Sequence, residues 1–230
     1  MLRIISDVHG LRDGYLEIIK DCEASLQIGD FGFHYDFLRE FEIEECQHLF
    51  FAGNHDDHNV KYNFPHCLRK FGMINHGDID FFFLEGGFSV DQVYRREQEQ
   101  LGVWPKTWWE NEELPQHDLE EALRVYKEAR PEVLITHEPS RSIADKIGSP
   151  SMLRNLGYDP DTFTTRTGET IQRMIDAHAP KLHIFGHFHI NYDETIKGVR
   201  YICQEELGYL DLDTDLNIQK YSFVGDTEIV

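Results

Sequence analysis

No apolar run in the sequence approaches the ~20 residues that a membrane-spanning helix needs, so no membrane partner is expected. There is no Gly/Ser linker, no low-complexity tract and no internal repeat. The opening segment, Met1-Leu2-Arg3-Ile4-Ile5-Ser6-Asp7, turns polar too soon for a secretory leader, and a cytoplasmic protein is expected. Cysteine is scarce: Cys22, Cys46, Cys67 and Cys203 form no CxxC pair, which argues against a zinc knuckle and for reduced thiols packed as small hydrophobes. Positive charge is also scarce. Lys and Arg total 22 against 42 Asp and Glu, a formal net charge of −20. That balance argues against tight binding of long duplex nucleic acid, which relies on a basic footprint.

Histidine, by contrast, is abundant, with 13 residues. It is the commonest metal ligand and the usual acid–base group near neutral pH. Carboxylates gathered to hold divalent cations would put part of the acidity to use. The 230 residues suffice for a sizeable core and are expected to form one domain, residues 1–230.

Short apolar runs of strand length recur: Leu2 to Ile5, Leu26 to Ile28, Leu49 to Ala52, Val133 to Ile135 and Leu182 to Phe185. Helical spacing appears between several of them, over Asp13 to Cys22, Leu119 to Ala129 and Thr167 to His178. The alternation predicts an α/β (α+β) core. Gly72 to Gly87 reads as a hairpin, and Tyr192 to Phe223 as a β-meander with turns at Lys197-Gly198 and Asp213 to Asn217. A pair of sheets with helices outside accommodates both. Ser89 to Gln116, rich in charge and tryptophan, reads either as a long loop or as short helices over the site.

Each of the five runs ends in groups able to bind a metal. The first leads to Asp7 and His9, the second to Gly29-Asp30, and the third to Gly53-Asn54-His55-Asp56. The fourth leads to His137, and the fifth to Gly186-His187-Phe188-His189. In open α/β sheets ligands bind beyond the carboxyl ends of strands, so five such strands would gather these groups at one edge. Gly29, Gly53 and Gly186 would allow close backbone approach there. Each piece alone is as well explained by a helix cap, a turn or a surface histidine. The ordered set is much harder to explain that way.

The set resembles the signature of the calcineurin-like metallophosphoesterase superfamily, in its small bacterial or phage-type members, over residues 1 to about 210. The resemblance implies a β-sandwich flanked by helices, with a dinuclear metal site at strand C-terminal ends. It implies that Asp7, His9 and His189 hold one metal, that Asn54, His137 and His187 hold the other, and that Asp30 bridges them. The mixed donor set suits borderline or hard divalent ions over soft ones, so Mn²⁺, Fe²⁺, Zn²⁺ and Mg²⁺ all fit, and Mn²⁺ is the ion expected. The resemblance further implies that His55 protonates the leaving group. Asp36 and Asp56 are the candidates to orient it.

The sequence departs from the protein Ser/Thr phosphatases of that superfamily. Gly29-Asp30-Phe31-Gly32-Phe33-His34 lacks their DRG, and the next motif is GNHD rather than GNHE. A phosphodiester or phosphomonoester, nucleotide-like or an RNA end, is therefore the expected substrate. A phosphoprotein phosphatase and a non-catalytic scaffold are the alternatives. Arg95 or Arg96 is a candidate to clamp the phosphate, against a solvated helix face. Trp104, Trp108 and Trp109 are candidates to stack on a base, against core packing. His58 and Glu138 lie close enough to the motifs to be candidate supports for the ligands.

Overall fold

The computed structural model describes residues 1–44 and 47–221. Cys46 and the end of the meander, residues 222–223, lie outside them. Eleven strands are present among the described residues: β1 Leu2–Ile5, β2 Ser25–Ile28, β3 His48–Phe51, β4 Phe71–His76, β5 Ile79–Leu84, β6 Val133–Thr136, β7 Leu182–Phe185, β8 Tyr192–Ile196, β9 Val199–Cys203, β10 Tyr209–Leu212 and β11 Ile218–Tyr221. The helices are α1 Arg12–Ile19, α2 Phe37–Glu40, α3 Gln92–Gln100, α4 Gln116–Ala129, α5 Arg141–Ile147, α6 Pro150–Asn155 and α7 Arg166–Ala177. No helix among the described residues is long and apolar enough to cross a membrane.

The strands form two mixed sheets, ordered β11-β10-β1-β2-β3 and β4-β5-β6-β7-β9-β8. Within them β1, β2 and β3 run parallel, as do β5, β6, β7 and β9. The five apolar runs become β1, β2, β3, β6 and β7. Their continuous hydrophobicity follows from burial on both faces. In β5, Phe81 and Phe83 enter the core between the sheets, while Phe82 and Leu84 enter a second core under the helices. Val133 and Ile135 of β6 likewise face inward, and Leu134 faces outward. Truncating any one of these phenylalanines to alanine would cost about 3–5 kcal/mol.

The outer face of the second sheet is covered by α4 and α7 through Leu119, Leu123, Tyr126, Ile171 and Met174. These positions recur at helical spacing, so each helix buries one stripe. Thr165 caps α7, its side chain accepting from Gly168 N at 3.0 Å. On the other side α1 packs Tyr15, Ile18 and Ile19 against Phe31 and Phe50. It ends earlier than the spacing over Asp13 to Cys22 predicts, because Cys22 N donates to Ile19 O at 3.1 Å and tightens the last turn.

The hairpin over residues 72–87 forms as β4 and β5, joined by Gly77 and Asp78, both with positive φ. The expected meander does not stay in one sheet. β8 and β9 pair at the edge of the six-stranded sheet, and β10 and β11 join the five-stranded one beside β1. Leu207, at φ 54°, sits in the crossing and donates its N–H to Asp7 O at 3.2 Å. Of residues 89–116, 92–100 form α3 and 101–115 are irregular.

Candidate metal centre

The carboxyl ends of β1, β2, β3, β6 and β7 meet at one edge of the two sheets. There they bring Asp7, His9, Asp30, Asn54, His137, His187 and His189 together. His189 Nε2 lies 3.2 Å from Asp7 Oδ1 and 3.0 Å from His9 Nε2. His9 Nε2 is 3.7 Å from Asp30 Oδ2. On the other side His137 Nε2 lies 3.2 Å from Asp30 Oδ1, 3.0 Å from Asn54 Oδ1 and 3.3 Å from His187 Nδ1. Asp30 thus turns one oxygen to each of two groups: Asp7, His9 and His189 on one side, and Asn54, His137 and His187 on the other.

Five of these seven residues have left-handed backbone: Asp7 (φ 43°), His9 (φ 48°), Asp30 (φ 56°), His187 (φ 70°) and His189 (φ 52°). Non-glycine residues there cost on the order of 1 kcal/mol each and persist only where their surroundings over-determine them. Here they do. His9 N donates to Asp30 O at 2.8 Å, Gly186 N to His137 O at 3.0 Å, and His187 N to Asp7 Oδ1 at 3.1 Å. A Cβ at Gly186 would fall on Ser6 Oγ and the Asp7 carboxylate, and one at Gly53 on the Asp30 carboxylate. The backbone therefore approaches the donors as closely as sterics permit.

The field at the cluster favours positive charge. Burial works against charged Asp7 and Asp30, yet the neighbouring histidines hold both carboxyls below the ordinary range. Burial also works against charged His137, but Asp30 and Asp7 lift it to about 9. His189 is raised by its hydrogen bond to Asp7. His187 is the exception, lowered to about 3 by burial and by His137. Convergent imidazole nitrogens and carboxylate oxygens in an electronegative pocket fit divalent cations, which would meet the same donors without crowding protons between them. The residues fall into two candidate groups, Asp7/His9/Asp30/His189 and Asp30/His137/His187, whose donor atoms lie within 4.8 Å of one another.

His55 sits at the cluster's edge, its backbone N–H donating to Asp30 Oδ1 at 2.7 Å. Neither expected partner orients it. Asp36 is exposed and ion-paired with Arg39 at 3.4 Å. Asp56 turns away and is fully buried, with Oδ2 accepting from Asp30 N (2.9 Å) and Gly53 N (2.7 Å). Its Oδ1 accepts from Phe31 N (3.1 Å), Gly32 N (3.1 Å) and Tyr35 OH (2.9 Å). Burial and the nearby Asp30 charge push Asp56 up to about 7, but five donors on two oxygens are an arrangement only the ionised form satisfies. Asp56 is therefore the clamp that holds the loops carrying Asp30 and Asn54.

Arg95 meets His55 instead, its Nη2 lying 3.2 Å from His55 Nε2. Asp91, one turn earlier at the start of α3, grips Arg95 Nε at 2.8 and 2.9 Å. Burial and, against the pull of Asp30, the Arg95 charge lower His55 to about 4. Arg96 is not brought to the cluster. Successive residues on a helix point about 100° apart, and its guanidinium carbon lies 5.1 Å from the Trp108 ring centroid. The tryptophans do not reach the cluster either. Trp109 is buried against Phe33, with centroids 5.3 Å apart, and Trp104 packs edge-on to Tyr94 at 5.4 Å.

Further supports come from side chains near the motifs. His58 Nε2 lies 2.9 Å from Gly53 O and His58 Nδ1 3.1 Å from Lys61 Nζ, which pairs with buried Glu85 at 3.2 Å. Glu138 is buried and accepts from Phe88 N at 3.1 Å and from the Thr165 hydroxyl. Ser89 and Glu112, neither expected to support a ligand, reach Asn54: Asn54 Nδ2 donates to Ser89 Oγ at 3.0 Å, and Ser89 Oγ to Glu112 Oε2 at 2.7 Å. The other histidines serve the scaffold or face solvent. His48, His66, His76, His178 and His183 each lie within hydrogen-bond distance of a hydroxyl or a backbone carbonyl, and His34 and His117 are exposed.

A family model described as calcineurin-like phosphoesterase matches residues 2–191. No curated protein matches the chain at a significant level. Among solved structures, an archaeal phosphodiesterase is similar at 16% identity, with 96% of this chain and 98% of that chain covered and a TM-score of 0.45. A phosphopantetheinyl hydrolase from Mycobacterium tuberculosis is similar at 15% identity, with 89% of each chain covered and a TM-score of 0.47. At those scores neither says anything about this chain's substrate.

Proposed function

The chain belongs to the calcineurin-like phosphoesterase family, and we propose that it is a phosphoric ester hydrolase with two divalent metal ions, Mn²⁺ first among them, acting as one domain on a phosphodiester. The observation that carries this reading is the Asp30 carboxylate. Its two oxygens face two separate convergent donor groups, at 3.7 Å from His9 and 3.2 Å from His137. Asp7, His9 and His189 would hold one ion, Asn54, His137 and His187 the other, and Asp30 both. Bound there, such a pair supplies Lewis-acid polarisation of a phosphoryl oxygen and an acidified water.

The chain's own groups do the rest. Arg95, held by Asp91, presents a planar cation beside the cluster and can engage two phosphoryl oxygens. The His55 imidazole, 3.2 Å from Arg95 Nη2 at the edge of the cluster, carries the proton for the leaving oxygen. An anionic phosphoryl group at that position raises the proton affinity of His55, opposing the present effect of Arg95. The absence of DRG after Gly29-Asp30 favours this reading over a phosphoprotein phosphatase. The complete donor set favours it over a scaffold.

The test is hydrolysis of bis(p-nitrophenyl) phosphate and p-nitrophenyl phosphate by the Mn²⁺-loaded protein, with and without EDTA. Metal-dependent cleavage with the diester preferred is the expected result. Cleavage that survives EDTA, or none with any of the four metals, overturns the hydrolase reading. A monoester preference turns it into a phosphatase.

A further inference from the structure

A cleft of about 1040 Å³ opens beside the donor cluster. Asp30, Asn54, His55, His187 and His189 line one end of it. α5, α6 and residues 160–165 line the other. Clefts of ~300–1,000 Å³ enclose most of a drug-sized ligand, so this one has room for a large arm beyond the phosphoryl group.

The chemistry of the walls says what kind of arm. Phe88, Phe163 and Phe188 line the cleft, each half-buried with part of its ring open. Phe163 is itself braced by Tyr158, with centroids 4.7 Å apart, and lies 5.8 Å from Phe88. On α6, Met152 is 44% exposed, and Leu156 just beyond it is 38% exposed; both line the same cleft. Large apolar side chains left open beside a polar centre mark a binding wall. Aromatic faces and a thioether suit a flat ring better than a flexible chain.

Charge narrows the choice further. Asp91, Glu138, Asp145 and Asp161 line the cleft in addition to Asp30, but Asp91 is paired with Arg95, Asp145 with Arg141 at 3.7 Å, and Glu138 is taken up by Phe88 N and the Thr165 hydroxyl. Of its two arginines, Arg141 is paired with Glu169 at 2.6 Å, and Arg154 has no ion pair among the described residues. With most of its other charges paired, such a wall offers a polyphosphate chain no set of free cations and leaves Arg154 to meet a single distal polar or anionic group.

We propose that the substrate is a phosphoester whose arm is an uncharged flat ring system, an aryl group or a nucleobase, seated among Phe88, Phe163, Phe188 and Met152. The inference rests on the phosphoesterase reading for the phosphoryl end only. The arm is tested by calorimetric binding of methyl, phenyl, thymidine 5′- and dodecyl phosphate monoesters to the Mn²⁺-loaded protein, which requires no turnover.

The phenyl and thymidine esters are expected to bind about tenfold or more tightly than methyl phosphate, the scale of one base stacked on aromatic side chains. Phe163→Ala and Met152→Ala are expected to shrink that ratio, and Trp104→Ala, outside the cleft, to preserve it. Equal affinity for the methyl and ring esters, or a gain confined to the dodecyl ester, overturns the proposal. Ring-dependent binding without diester hydrolysis would keep the arm and overturn the reaction. Hydrolysis without ring dependence would do the reverse. Phenyl and thymidine esters that differ from each other separate a simple aryl group from a nucleobase.

Discussion

Ser89 holds the Asn54 amide with the help of His55: Ser89 Oγ accepts from Asn54 Nδ2 at 3.0 Å and His55 Nε2 lies 3.2 Å from the same nitrogen, which leaves Asn54 Oδ1 aimed at His137 Nε2, 3.0 Å away. Glu112 fixes the hydroxyl in turn, taking both the Ser89 O–H (2.7 Å) and the Ser89 N–H (2.8 Å). All three residues are buried. Such outer partners typically contribute 10–100-fold in metal affinity. Ser89→Ala is therefore expected to weaken one of the two Mn²⁺ sites by about that factor, with Ser89→Thr recovering part of it. Titration calorimetry with Mn²⁺ checks this. Two unchanged sites in Ser89→Ala would show that the amide orients itself.

His55→Ala is expected to lower kcat by about 10²–10⁴ when the leaving group is a poor one such as an alkoxide, the range for a lost general acid. The loss should be smaller for p-nitrophenolate, which departs without help. Bound metal measured by elemental analysis should stay the same, because His55 is not among the convergent donors. An equal loss for both leaving groups would remove the proton-donor role.

Asp56→Asn places an amide nitrogen against N–H groups that now donate to a carboxylate oxygen. The expected cost is about 3 kcal/mol. Proteins of this size lose roughly 2–4 °C of Tm per kcal/mol, so a scanning melt should show a drop of roughly 6–12 °C. Asp36→Asn, at an exposed position, should leave Tm unchanged. A silent Asp56→Asn would mean that the two loops stand without their clamp.

Burial lifts the Glu112 carboxyl to about 7 from its ordinary value of 4.5. The folded state then binds this proton more tightly than the unfolded chain does. The corresponding stability is fully present below the unfolded value and is lost as pH rises through 7. Glu112→Gln should flatten the stability profile between about pH 5 and pH 8, by on the order of 1–3 kcal/mol. Urea unfolding in EDTA at the two pH values measures it. Parallel profiles for the two proteins would place the titration elsewhere.

The strand ends were legible because each ligand follows a run whose burial on both faces forces unbroken hydrophobicity. Five markers at five such ends are visible without any contact map. The Asp91–Arg95–His55 arrangement was only half visible: the arginine pair stood out, but which of the two turns inward depends on how α3 lies across the sheet edge. Ser89 lies in the segment Gly86-Gly87-Phe88-Ser89-Val90-Asp91, but nothing in the sequence ties it or Glu112 to Asn54. They reach Asn54 because Gly87 lets the chain pass within 3.1 Å of His137 and 3.2 Å of Asn54, measured from where a Cβ would stand. Asp56 reads as a candidate partner of His55 for a related reason. Its neighbour in sequence is His55, but its partners are the amides of Asp30, Phe31, Gly32 and Gly53, which only tertiary structure brings to it. The passage of β10 and β11 into the other sheet was hidden as well, since hairpin spacing is the same in either sheet.

The left-handed backbone at Asp7, His9, Asp30, His187 and His189 has a consequence for laboratory evolution. At these positions glycine relieves backbone strain and simultaneously deletes a donor from a crowded electronegative pocket. A library selected for heat tolerance in metal-depleted medium would therefore be drawn to the very codons that chemistry requires, enriching hardened but inert variants. The same library grown with abundant divalent cation would be pushed the other way, because an ion bound only by the native fold rewards each donor that is kept. Metal supply during selection, rather than temperature alone, would decide which of these two populations emerges.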